Sequence, residues 1–254
     1  MKSQRQNQII ALLEEKNIVN TIELAEEFGV SIETIRRDLN QLEILGVLQK
    51  TYGGAKLKSR LPYVVSPVDK HMDKNSAAKA SIGAAIVQYI NDGEVIACDT
   101  GSTLMHAAPF LNEKRNMIYL VSDIILAHQL LKAEANRVFM LGGFLSPVGN
   151  ATGSYARDFL NSLSHIDCFV LSCDGANLAD GLSQFEEEPL LLKKRLLKKA
   201  SKRIALIDHS KFSRRAFNKL CDFNELDMII TDPETPPGTI SQLEKAGVKV
   251  IVSE

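Results

Sequence analysis

The chain has 254 residues, 45% of them apolar and 24% charged, with a formal net charge of −1. That length and apolar content predict a buried core spread over two domains, and so balanced a charge excludes a protein that coats nucleic acid by bulk attraction. Apolar runs such as Val95 to Cys98 are too short to span a bilayer, Met1 to Gln8 lack a signal-peptide profile, and the four cysteines have neither CxxC nor zinc spacing, so a cytoplasmic, membrane-free chain with buried thiols is expected.

The first predicted element is a helix over Ser3 to Lys16, with Ile9, Ile10, Leu12 and Leu13 on one side. Thr21 is placed to cap a second helix, Ile22 to Phe28, which Gly29 ends in a left-handed turn. Ser31 caps a third. There Ile35, Leu39 and Leu42 fall at i, i+4 and i+7 as an apolar stripe, while Glu33, Arg36, Arg37 and Asn40 point away from it. Gly46 stops this helix, and two short runs meeting at Gly53 and Gly54 read as a two-stranded wing. Residues 1–57 therefore predict a winged helix-turn-helix.

Charge in this segment is placed rather than summed. Glu14, Glu15, Glu23, Glu26 and Glu27 sit on the first two helices, whereas Arg36, Arg37, Lys50, Lys56, Lys58 and Arg60 sit on the third helix and the wing. One basic face results, as double-stranded DNA requires. The expected contacts are Ser31, Thr34, Arg36, Arg37 and Asn40 from the helix and Lys50, Tyr52, Gly53, Gly54 and Lys56 from the wing.

Residues 58–75, with Pro62 and Pro67 and no clean periodicity, predict a linker. From 76 to 254 strand-like and helix-like runs alternate, which implies βαβ crossovers and a largely parallel, Rossmann-like α/β sheet. Among these runs are a strand over Glu94 to Asp99 and a long helix over Pro189 to Lys202. Ligands of such sheets bind beyond the carboxyl ends of the strands. Those ends carry Asp99-Thr100-Gly101-Ser102-Thr103, Ser122, Gly142 with Gly143, Asp174 with Gly175, and Asp208 followed by Lys211. The mixture suits a phosphorylated polyol, with the Thr100 to Thr103 loop and Lys211 on the phosphate and Asp99 and Asp174 on hydroxyls. No GxGxxG follows a strand and the histidines are scattered, so neither a cofactor nor a metal is expected.

Val30-Ser-Ile-Glu-Thr-Ile-Arg-Arg-Asp-Leu39, followed by Leu42, Gly46 and Gly53-Gly54-Ala55, resembles the N-terminal signature of the DeoR family of bacterial sugar-metabolism regulators. The resemblance continues through Asp99-Thr-Gly-Ser-Thr103, Gly142-Gly143, Asp174-Gly175, Gly181-Leu182 and Asp208-His-Ser-Lys211. It implies a sensor domain similar to sugar-phosphate isomerases such as ribose 5-phosphate isomerase, a phosphorylated sugar as effector, and a ligand contact from Glu187 or Glu188. The implied function is a sugar-operon repressor. Because helix-turn-helix proteins usually bind as pairs, a homodimer or homotetramer is expected. The alternative is an isomerase-like enzyme with a DNA-binding head, but Asn177 stands where the isomerase has a second acid, and Leu178 to Gln184 contain no lysine. Only Glu186, Glu187 and Glu188 remain to supply a base.

Overall fold

In a computed structural model the chain divides into two packed units, Met1–Val65 and Ser66–Glu254. The structure describes residues 4–16, 18–44, 48–51, 53–57, 72, 74–146 and 148–254. Gly46, Tyr52, Lys58, Arg60 and most of the predicted linker lie outside the described residues.

The first unit runs α1 (Gln4–Lys16), β1 (Ile18–Asn20), α2 (Thr21–Glu27), α3 (Ile32–Ile44), β2 (Leu48–Thr51) and β3 (Gly54–Leu57). Its core gathers one face of each helix: Ile9 and Leu13 from α1, Leu24 from α2, and Ile35, Leu39 and Leu42 from α3. The spacing read from the sequence accounts for this stripe, since all three α3 residues are essentially fully buried. Two details differ from expectation. Thr21 is buried inside α2, and the cap is Asn20, whose side chain accepts from the Ile22 amide at 2.8 Å. The wing also has a third strand, because β1 pairs antiparallel with β3, placing Val19 opposite Ala55.

The second unit is built on a seven-stranded parallel sheet. Its elements are α4 (Ser76–Ala85), β4 (Val95–Cys98), α5 (Ser102–Leu111), β5 (Ile118–Val121), α6 (Ile124–Leu130), β6 (Arg137–Met140), a ribbon of β7 (Phe144–Leu145) and β8 (Ala151–Thr152), and α7 (Ser154–Ser162). There follow β9 (Ile166–Leu171), β10 (Gly175–Asn177), β11 (Gly181–Gln184), α8 (Glu187–Lys199), β12 (Ala200–Leu206), β13 (Asn218–Cys221), β14 (Met228–Thr231), α9 (Pro237–Lys245) and β15 (Lys249–Val252). The helix expected over Pro189 to Lys202 starts two residues earlier and stops at Lys199, where β12 begins without a loop.

Alternating side chains of the strands feed two cores. Ile96, Tyr119, Val170 and Ile230 face α4, α5 and α6, and Ala97, Leu120, Phe169 and Ile229 face α7, α8 and α9. The strand order is β15-β14-β12-β9-β4-β5-β6. From β4 the chain winds outward to β6, then returns to β9 on the other side of β4. That reversal opens a crevice past the ends of β4 and β9, the place where doubly wound sheets hold ligands. Among the described residues no helix is long and apolar enough to cross a membrane.

Candidate functional site

On the first unit, Ser31 caps α3: its hydroxyl accepts from the Thr34 amide at 3.3 Å and lies 2.8 Å from the Thr34 hydroxyl. Arg36, Arg37 and Asn40 project to solvent. Arg36 makes only a long contact with Glu33, 3.6 Å between two exposed side chains, which leaves its guanidinium available. Lys50 joins wing to helix, its Nζ donating to Asn40 Oδ1 at 2.6 Å and its amide to Glu43 Oε1 at 2.8 Å. Lys56 is exposed on β3. Gly53 takes a left-handed φ of 84°. Gly54 is buried where β3 passes β1, and a Cβ there would run into the Val19 carbonyl oxygen.

One residue of α3 escaped the sequence reading. Asp38, to which the spacing gave no role, is buried and accepts from Arg5 at 2.6 Å and from Gln6 at 3.2 Å, tying α3 to α1. Its signal was position, since it lies three residues after Ile35 and four before Leu42, on the buried stripe of the helix.

The crevice of the second unit is a cavity of about 520 Å³. Thr100, Gly101, Ser102 and Thr103 enter its wall as the loop from β4 into α5, with Gly101 at a φ of 124° and positioned so that a Cβ there would come within 3.2 Å of the Ser172 hydroxyl. The first amides of α5 have no carbonyl within the helix to bond, which makes this end a donor set for an anion. Lys211, Arg214 and Arg215 add cations from the segment after β12, and Asp174, Glu186 and Asp208 add carboxylates.

The acids are not equivalent. Asp174 accepts from the Phe185 amide at 2.8 Å. Burial pushes the Asp208 carboxyl up, but hydrogen bonds from Ser210 and Asn75 and the charge of Lys211 outweigh it and hold the group below its usual range. Asp99 lies outside the main wall, buried behind it. Its Oδ2 receives Lys193 Nζ at 2.6 Å and the Ser172 amide and hydroxyl at 2.8 and 3.1 Å. Lys193 also donates to Gln184 at 2.8 Å and to the Ser172 carbonyl at 3.1 Å.

Of the other expected residues, Ser122 borders a smaller recess next to the cavity, while Gly142, Gly143, Gly175, Glu187 and Glu188 do not line the cavity. Gly143 lets β7 pass the Thr152 carbonyl, and Gly175 packs under the Arg214 carbonyl. Glu188 turns outward to Arg157 at 2.8 Å, and the acid that reaches the cavity is Glu186, the residue capping α8. Lys193, Arg214, Arg215 and Gln184 were missed. Lys193 had a signal, being a charge three residues from Leu190 on the buried stripe of α8.

All four cysteines are free and buried. Burial pushes the thiols of Cys168, Cys173 and Cys221 up to about 12, which keeps them protonated and unreactive. Among the described residues one group has the composition of a metal site, His209, Asp232 and Glu234. There the two ring nitrogens face different carboxylates, Asp232 at 2.8 Å and Glu234 at 3.6 Å, an arrangement of hydrogen-bonded imidazole rather than of a shared ion.

Residues 5–60 match the model of the DeoR-like helix-turn-helix domain, and residues 74–233 that of the DeoR C terminal sensor domain. A relative in Escherichia coli O157:H7 named for transcriptional repression of the aga operon is 33% identical over 98% of this chain and 93% of its own length. The glycerol-3-phosphate regulon repressor of Escherichia coli K12 is 29% identical over 95% of each chain. The transcriptional regulator UlaR of Shigella dysenteriae is 28% identical over 98% of each. With a helix-turn-helix unit, a sensor-domain crevice and relatives matched nearly end to end, the chain belongs to the DeoR family of DNA-binding transcriptional regulators.

Proposed function

We propose that this regulator represses a sugar-metabolism operon from the cytoplasm and that a phosphorylated sugar in the sensor crevice relieves repression. The observation that carries the effector is that the Thr100 to Thr103 loop, Lys211 and Arg214 line one cavity together with Asp174 and Glu186. Helix-start amides and cations take a phosphate, and carboxylates take the hydroxyls of the same molecule. The ligand is held rather than turned over, a reading supported by Asn177 standing where the isomerase has a second acid and by the lysine-free run from Leu178 to Gln184.

DNA is met by Arg36, Arg37 and the exposed part of the wing around Lys50, Gly53 and Lys56. Ser31, Thr34 and Gly54 shape that face. One recognition helix reads one half-site, so the working form is a homodimer or homotetramer with half-sites about 34 Å apart or a multiple of it. A ligand coupling of about 1–3 kcal/mol changes operator affinity roughly 5- to 150-fold. The test is a gel shift on the chain's own upstream DNA across a panel of sugar phosphates. One member of the panel should release the DNA, and release by none, or turnover of any at an enzyme-like rate, overturns the reading.

A further inference from the structure

Next to the main cavity is a recess of about 10 Å³, and Thr100, Asn150, Pro189 and Lys193 belong to the walls of both. That volume holds one oxygen-sized group and excludes a phosphate or a sugar ring. Its lining is mainly apolar, with Leu141, Leu192 and Leu196, and three deeply buried polar residues are set in it: Asp99, Ser122 and Asn150 are 5%, 6% and 7% exposed. Asp99 Oδ2 is fully engaged by Lys193 and Ser172, but the buried Oδ1 of Asn150 has no hydrogen-bond partner. The residue is firmly placed, its amide donating to the Ser146 hydroxyl at 3.2 Å and its carbonyl accepting from the Ser146 amide at 2.8 Å. A desolvated acceptor left unpaired is costly unless something arrives to donate to it.

Resting on the sugar-phosphate reading, we infer that Asn150 is a specificity residue of the sensor, whose Oδ1 accepts from a ligand hydroxyl that enters the recess while the phosphate stays at the Thr100 to Thr103 loop. The recess then selects ligands with a hydroxyl at that distance from the phosphate over those with hydrogen there. A resident water is the competing occupant, and it gives Asn150 no influence on which sugar binds.

Thermal-shift titrations of the full chain with inorganic phosphate and with a panel of pentose and hexose phosphates test this in the wild type and in Asn150→Leu, a change that keeps the branched outline of the side chain and removes the acceptor. Phosphate should stabilise both proteins at the same midpoint. Sugar phosphates that outbind phosphate on the wild type should lose about tenfold of that advantage on the variant, the worth of one neutral hydrogen bond. An unchanged sugar preference overturns the inference, as does a wild type on which no sugar phosphate improves on phosphate. No response to phosphate or to any sugar phosphate removes the sugar-phosphate reading itself. Asn150→Ala repeats the comparison if the leucine variant does not fold.

Discussion

Lys193 Nζ lies 2.6 Å from the Asp99 carboxylate, with the two side chains 3% and 4% exposed, so a helix and a strand end are joined by a fully desolvated ion pair beside the sensor cavity. Such a pair adds little over an apolar one, but half of it is worse than none. Lys193→Met should destabilise the chain by about 3–5 kcal/mol in denaturant unfolding, and adding Asp99→Asn should recover most of that loss. A single change within about 1 kcal/mol of wild type would show that the pair is not desolvated.

Among the described residues Arg36 and Arg37 have no tertiary hydrogen-bond partner, and both stand exposed on α3. Arg36→Ala with Arg37→Ala should leave the melting temperature unchanged. Operator affinity should fall tenfold or more, and the slope of log affinity against log salt should drop by about one to two. Gel shifts at several salt concentrations measure both.

Gly54 serves the fold of the head, because β1 passes where its Cβ would be. Gly54→Ala should abolish DNA binding at a cost of about 2 kcal/mol or more to the head. Thermal stabilisation by phosphate should survive in the same variant, since the cavity belongs to the other unit.

Lys211 and the Thr100 to Thr103 loop line the same cavity. Lys211→Ala should weaken phosphate-dependent stabilisation about tenfold or more, corresponding to one charge-assisted contact of about 1.5–3 kcal/mol. An equal response in wild type and variant would move the anion site away from this lysine.

Two buried aspartates give opposite pH signatures. Burial pushes the Asp123 carboxyl up despite hydrogen bonds from the Leu126 and Ile125 amides, and its Oδ2 has no partner. A folded value above the unfolded one means that stability falls as pH rises from the ordinary aspartate value, about 3.9, through the raised one. Asp123→Asn keeps a capping oxygen and should melt higher than wild type at pH 7, with the gap closing below about pH 4. Asp208 is held low, so its contribution is present above the ordinary value and lost as pH falls through the lowered one. Asp208→Asn should therefore melt lower than wild type at neutral pH and converge with it in acid.

Long periodic segments were legible. The α3 stripe and its serine cap follow from spacing alone, and the alternation after Ser76 predicts the parallel sheet whose order then locates the crevice. Three short strands were not: β1 and β13 hold three and four residues and pair with strands distant in sequence, as Val19 does with Ala55, and β10 holds three and pairs only in a tight hairpin with β11. The Thr100 to Thr103 loop was readable because glycine, hydroxyls and a helix start are contiguous. Arg214 and Lys193 join that loop only through the fold. Asp99 carried the right chemistry for a sugar hydroxyl, and only the position of Lys193 shows where its charge is spent.

At the junction of α8 and β12, Lys199 ends a helix and Ala200 starts a strand. One inserted residue there would rotate the helix by about 100° or exchange the two faces of the strand. Lys193 would leave Asp99, or the chain leading to Asp208 and Lys211 would lose its phase with the sheet. Length at this point is frozen, so a change of ligand preference here must come by substitution and not by insertion or deletion.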